Sequence, residues 1–262
     1  MVQKLVFKWF SNFWFLASIF FVYAPVLVMI AFSLNQSVHC DAWVGFSLEW
    51  YKTLFSSEDM LGALMGSLLV GFFSTALSVF FALCVVIGSR WWNPWWLLNL
   101  FVVNISVPEI FLAVTVLNVF VFLGVSPGFL SLVAGHTLLG LGVAVPWIHT
   151  AFMDVNRALI DSSFDLGATY MQTFRYVLFP VLKPVILSAS FMVFTLSMDD
   201  FFINFFCSGV GFNTVSTYVY TTIKAFVDPS LNALSSTLFF LSFILVLLLS
   251  FSQSMNRVFG DD

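Results

Sequence analysis

Glu109, Asp199 and Asp200 are carboxylates set inside long apolar runs. An ionised acid at the centre of a helix in hydrocarbon costs roughly 2.5–3.5 kcal/mol, so such a group faces a cavity or a partner. No Lys or Arg within those runs offers a counter-charge. Unpaired acids at one depth attract cations, and the rings of Phe201, Phe202 and Phe205 beside them suit ammonium groups. Asp199 is the first candidate for a path through the membrane, then Glu109, with Asp200 beside them. For each acid a second reading stays open, a cap or a pairing with another subunit, with Asp200 at the headgroup boundary. Catalysis fits the residues poorly. Asp199 and Asp200 are adjacent, so on one helix their side chains diverge by about 100° and make a poor dyad. His136 and His149 are thirteen residues apart on different faces of one helix, and His39 is in a loop, so a metal site is not expected. Nor is a nucleophile elbow expected.

A second segment stands out, from Arg157 to Pro184. Residues 157–166 have helical periodicity, with Leu159, Ile160, Ser163 and Leu166 on an apolar edge. Gly167 is placed to end that helix. Residues 169–178 resume it, and Pro180 and Pro184 are expected to stop or bend the chain. Such an elbow offers Arg157, Asp161, Asp165 and Arg175 to water and Leu166, Ala168, Phe174 and Val177 on other faces, a surface that suits docking of a soluble partner.

The elements that carry these residues follow from composition. The 262 residues are 61% hydrophobic and only 8% charged, with 35 Phe. A soluble domain carries about a quarter charged residues, whereas lipid solvates Phe, Leu and Val directly. The net charge of −4 and the lack of a basic block speak against a nucleic-acid partner. Runs of at least about 18 apolar residues mark membrane helices. Six are expected: about 9–34, 61–88, 95–123, 130–152, 184–207 and 231–254. The chain thus reads as all-α and polytopic, one membrane domain over 1–262. The first run is too long for a signal peptide and reads as a retained helix. Taken as straight helices at 1.5 Å per residue, spans three and five put Glu109 and Asp199 about 21–23 Å from the cytoplasmic end.

Placing both termini in the cytoplasm puts Lys4, Lys8, Arg90, Arg157, Arg175, Lys183 and Arg257 inside and only Lys52 and Lys224 outside, a strong positive-inside pattern. The Trp91–Trp96 turn then anchors at the headgroup layer. An acidic outer loop, about 35–60, holds Asp41, Glu49, Glu58 and Asp59. Cys40 and Cys207 fall near the outer face, where a disulfide is open to them; small buried apolar roles are the favoured reading for the cysteines, Cys84 included.

On these residues the chain resembles a family. Asp161-Ser162-Ser163, then Gly167, then Val177-Leu178-Phe179-Pro180 keep the spacing of the EAA loop of type I ABC importer permeases. Glu has become Asp161, two Ala have become Ser, and Leu has become Phe179. The run Phe194–Asp200, the stretch Pro229–Leu234 and the pair Pro108-Glu109 are similar to polyamine (spermidine/putrescine) permeases of the PotC or PotI type. The resemblance implies that Asp161, Leu166, Gly167, Ala168 and Pro180 belong to a coupling helix seated on a cytoplasmic ABC ATPase dimer. It also implies a second homologous permease and an extracytoplasmic solute-binding protein as partners, in a bacterial cytoplasmic membrane. No Gly-Lys-Ser or Gly-Lys-Thr is present, so no nucleotide and no cofactor are expected on this chain. Permeases for other small solutes share the fold. A secondary transporter is the rival reading, in which the acids would be ion sites.

Overall fold

The computed structural model describes residues 2–38, 42–92, 95–225 and 228–258, with side chains at 10–38, 42–89, 96, 98–225, 228–244 and 247. His39, Cys40, Asp41, the Asn93-Pro94 turn and the side chains of Lys4, Lys8, Arg90 and Arg257 lie outside this set. Helices dominate. They are α1 (Val2–Ser33), α2 (Glu49–Ser56), α3 (Glu58–Trp92), α4 (Trp95–Ser106), α5 (Glu109–Phe122) and α6 (Phe129–Met153), then α7 (Arg157–Asp165), α8 (Tyr170–Thr173), α9 (Phe179–Asp199), α10 (Phe202–Cys207), α11 (Val215–Ala225) and α12 (Ser230–Val258). A π-helical turn, Phe174–Leu178, joins α8 to α9. Among the described residues strand pairing is limited to one isolated antiparallel bridge, Asn35 with Phe46.

The chain forms two compact units, Met1–Leu61 with Val219–Asp262, and Gly62–Tyr218. In the first, α12 packs on α1 and α2. Buried Asn35 organises the loop after α1. Its Nδ2 donates to the Ala42 carbonyl at 2.7 Å, its Oδ1 accepts from the Val44 N–H at 2.9 Å, and its carbonyl accepts from the Trp50 indole at 2.7 Å. Tyr51 ties α2 to α12 through Ser236, 3.2 Å away. None of the most apolar stretch of α1 is buried, and Phe21 is 81% exposed. Exposed aromatic surface of that extent is stable only against lipid or another chain.

Four helical segments are long and apolar enough to cross a bilayer: Phe10–Ser33, Glu58–Ser89, Phe129–Met153 and Tyr170–Asp199. The remaining two runs depart from the straight spans that the sequence predicts. Leu98–Ser106 and Glu109–Phe122 meet at 113°. Pro108 has no N–H to give and drives Val107 out of the helical region, so the helix breaks there. A depth counted along one straight helix therefore does not hold for Glu109. The last apolar stretch, Ser230–Ile244, is shorter than a full span within the side chains described.

Span five also differs. It starts earlier, since Pro180 and Pro184 do not stop the chain: helix runs through both, from Tyr170 to Asp199. The π turn lies just before Pro180, where a proline ring would otherwise press on the preceding turn, and it closes with the Phe179 N–H on the Phe174 carbonyl. It ends earlier too, at Asp199, and α10 follows as a separate short helix.

In the second unit α6 is the central post, in contact with α4, α5, α9 and α10. Small residues let the helices close up. A Cβ on Gly140 would collide with the Ser78 hydroxyl and come within 2.5 Å of Val193. Ser78 also donates to the Thr137 carbonyl across the helix pair at 3.1 Å. Close small-residue contact and interhelical hydrogen bonds are what hold helices together in lipid, where burial itself contributes little. Gly140→Val is accordingly expected to destabilise the unit by about 1–3 kcal/mol. A lowered Tm in detergent and reduced membrane accumulation are the expected readouts; an unchanged Tm would contradict this packing.

Candidate functional site

The acids are placed by the two breaks. Glu109 is the first residue of α5, directly after Pro108, where a carboxylate is favoured by the positive end of the helix. Asp200 follows the last residue of α9, in extended backbone (φ −65°, ψ 130°). Its Oδ2 accepts the Ile203 N–H at 2.9 Å, satisfying a donor that the break sets free. Asp200 is only 4% exposed, yet its Oδ1 has no hydrogen-bond partner. The carboxyl of Glu109 is close enough to bear on it electrostatically. Two acids from two breaks thus share one neighbourhood.

A packed cluster holds the breaks side by side. Ile203 and Cys207 of α10 lie against Leu112, Ala113 and Val116 of α5, Leu132 of α6 and Val70 of α3. The Cys207 thiol is free and points at the Ala113 carbonyl, 3.6 Å away. Cys207 thus takes the small buried role. Cys84 is free and exposed. Asp199 ends α9 and is exposed, whereas Asp200 is buried and Glu109 half-buried. Phe201, Phe202 and Phe205 form a ring group beside the acids, with centroids 5.3 and 5.8 Å apart.

Two polar residues of this neighbourhood gave no signal in the sequence. Asn204 is buried and donates from Nδ2 to the Asp200 carbonyl at 2.6 Å. His136 of α6 is buried and its Nε2 lies 3.2 Å from Asn204 Oδ1. Neither stands in a motif, and only the crossing of α6 with α10 brings them together.

The elbow is built as the sequence expects up to Gly167, and in more detail beyond it. Asn156 caps α7, accepting the Ala158 N–H at 3.0 Å. The helix closes on Gly167 at φ +82°. The Gly167 N–H bonds the Phe164 carbonyl and the Ala168 N–H bonds the Ser163 carbonyl, the paired bonds of a Schellman ending. Thr169 and Gln172 then form a capping box for α8: the Thr169 N–H meets Gln172 Oε1 at 2.8 Å, and the Gln172 N–H meets Thr169 Oγ1 at 3.4 Å. Ser163 and Thr173 hydroxyls join at 2.9 Å across the bend, and the Phe164 and Tyr170 rings stack edge-on at 5.1 Å.

The apolar edge splits in two. Ile160 and Ser163 turn inward. Leu166 is 89% exposed at the tip, with Leu159, Tyr170 and Met171 also exposed. Asp161, Asp165, Arg157 and Arg175 face outward as expected, Ala168 is half-buried, and Pro180 is exposed at the start of α9. Ile160 and Leu178 root the elbow in the same cluster as Ile148 of α6, Val86 of α3 and Leu182 of α9. Beside it lies a cavity of about 790 Å³ lined by Asn99, His149, Arg157 and Asp161, among others, and by none of the break acids.

Gly124-Val125-Ser126-Pro127-Gly128 has the spelling of a nucleophile elbow. It is a turn between α5 and α6, whereas that chemistry needs the serine between a strand and a helix.

Helix breaks between apolar segments, an acid at each break and an exposed elbow make up the candidate site. The solved structure of a bacterial ABC transporter involved in import of the acidic polysaccharide alginate has the same fold. It matches with a TM-score of 0.68 at 17% identity, covering 98% of this chain and 98% of that one. No family model matches the chain. Curated relatives make the likeness more particular. The chain is 27% identical over 240 residues to the spermidine/putrescine transport system permease protein PotC of Haemophilus influenzae, covering 90% of this chain and 92% of that protein. It is 26% identical over 226 residues to the putrescine transport system permease protein PotI of Escherichia coli, covering 82% and 80%. The chain is a multi-pass helical membrane protein similar over most of its length to the permeases PotC and PotI.

Gly167 tests the elbow. A Cβ there meets open space, so only the left-handed backbone opposes substitution. Gly167→Val is expected to cost about 1–2 kcal/mol in that turn and to abolish transport. Gly167→Asn, which tolerates the conformation, is expected to retain most of it. Equal uptake by both variants would remove the turn from function.

Proposed function

We propose that this chain is a membrane-spanning subunit of an ATP-driven ABC importer for polyamines in the bacterial cytoplasmic membrane. The observation that carries the reading is the pair Glu109 and Asp200 at adjoining helix breaks, while the cations of the span that ends beside Asp200, Arg175 and Lys183, lie toward its other end. A polyammonium solute supplies the opposite charge and brings only donors, which matches an unbonded carboxylate oxygen. The rings of Phe201, Phe202 and Phe205 offer cation–π faces along the same route. Likeness to PotC and PotI over most of the chain supports the same class of solute.

In this reading the chain crosses the membrane six times, counting the bent pair and α12 as one span each, with both termini in the cytoplasm. The elbow of Asp161, Leu166, Gly167, Ala168 and Pro180 is the coupling helix. Exposed Leu166 and Met171 enter a groove of a separate ATPase dimer. The chain needs no cofactor of its own. A homologous second permease completes the path, and an extracytoplasmic binding protein delivers the solute. Force applied at the elbow reaches α6 and α9 through Ile160 and Leu178, and those helices carry the Asp200 break.

Labelled spermidine uptake by cells carrying the whole importer tests this. Glu109→Gln and Asp200→Asn are each expected to lower uptake by about tenfold or more, with a smaller effect for Asp199→Asn, since neutralising an acid removes the charge-assisted bond to an ammonium. Spermidine and putrescine are expected to compete, and sulfate is not. Uptake that persists without an ATPase subunit would favour a gradient-driven transporter and sink the proposal.

A further inference from the structure

Every donor and acceptor around the Asp200 break can be assigned from chemistry. The Asp200 carbonyl can only accept, so the atom of Asn204 that faces it at 2.6 Å is the Nδ2 amide. The other amide atom, Oδ1, therefore faces His136, and it too can only accept. His136 must then carry its proton on Nε2. Its Nδ1 is buried with no partner. A second proton there would leave a buried N–H with nothing to receive it, so the ring is the neutral Nε2–H tautomer.

The bond is one of three contacts that stitch α10 along α6. Ser131 Oγ donates to the Cys207 carbonyl at 2.7 Å. Gly135 lets the Ile203 side chain sit where a Cβ would be, 2.7 Å from that position. His136 holds Asn204. The residues 131, 135 and 136 of α6 thus meet 207, 203 and 204 of α10 in antiparallel order. Only the His136 bond reaches the Asp200 carbonyl, through Asn204.

We infer that His136 is a positioning residue for Asp200: through Asn204 it holds the end of α9 so that Asp200 Oδ1 stays unbonded and available to a cargo ammonium. This rests on the reading of Asp200 as a cargo acid. It adds a residue that does not touch cargo yet sets affinity for it. It also explains why a neutral, fully buried histidine sits in a helix that would pack more easily around Leu.

The test compares side chains by reach. The amide nitrogen of glutamine can take the place of Nε2, whereas asparagine is short enough to reach only the place of Nδ1. His136→Gln, His136→Asn and His136→Leu are made in the whole importer. Labelled spermidine uptake gives KM and the maximal rate, and copurified ATPase gives the amount of assembled complex. His136→Gln is expected to keep KM within about twofold of wild type, while His136→Asn and His136→Leu raise it about tenfold at similar complex levels, the factor expected for one lost hydrogen bond to a buried group. If His136→Leu fails to assemble, the Gln and Asn pair still decides. Equal KM for Gln and Asn variants overturns the inference and leaves the cargo reading intact. A wild-type importer that takes up no polyamine overturns the cargo reading first, and this one with it.

Discussion

A helix broken in an apolar environment leaves backbone donors and acceptors that water cannot satisfy. Each such group costs on the order of 1–3 kcal/mol if left alone, so a break persists only where side chains stand in for the missing bonds. At the Asp200 break they do. The carboxylate takes the Ile203 N–H, the Asn204 amide takes the Asp200 carbonyl, and His136 takes what remains of Asn204. In the role proposed for Asp200, the acid that caps the break is also the one offered to a cation, with Oδ2 serving the fold and Oδ1 the ligand.

The Pro108 break is made differently. There the chain removes the problem at its source, because proline has no N–H to leave unsatisfied and fixes the backbone of the next helix. Glu109 then stands where the positive end of α5 favours a carboxylate. Breaks in α-helical transporters recur at solute sites for this reason: irregular backbone is tolerated only beside other protein or a polar cavity, and it exposes the helix ends that recognise charge.

The elbow and the acids lie in one packed unit, and the contacts between them are of one kind. α6 is lined by small residues that admit its neighbours closely, and it touches the elbow cluster near Ile148 and the acid cluster near Leu132. Close-packed helices move as rigid bodies rather than deforming, so in the proposed mechanism a displacement at Ile160 passes to α6 and α9. The two prolines at the start of α9 do not interrupt this path, because the π turn absorbs Pro180 and the helix continues. A stop at those prolines, one of the two outcomes expected there, would have separated the elbow from α9.

Composition and apolar run length were enough to read a helical membrane protein, and Gly167 with its neighbours to read a break between two helices there. These are local or summed properties: hydrophobicity over about 20 residues decides insertion, and a glycine followed by a capping threonine decides a turn. The relation of Asp200 to Asp199 was not legible. One residue separates them, and which is buried depends on where α9 ends, which Asn204 and His136 decide from other parts of the chain. The 113° bend at Pro108 was foreshadowed by the proline, but its size is set by what α4 and α5 pack against. His136, quiet in the sequence, acquired a role only when α6 crossed α10. A buried hydrogen bond belongs to two segments at once, and a one-dimensional pattern carries no term for it.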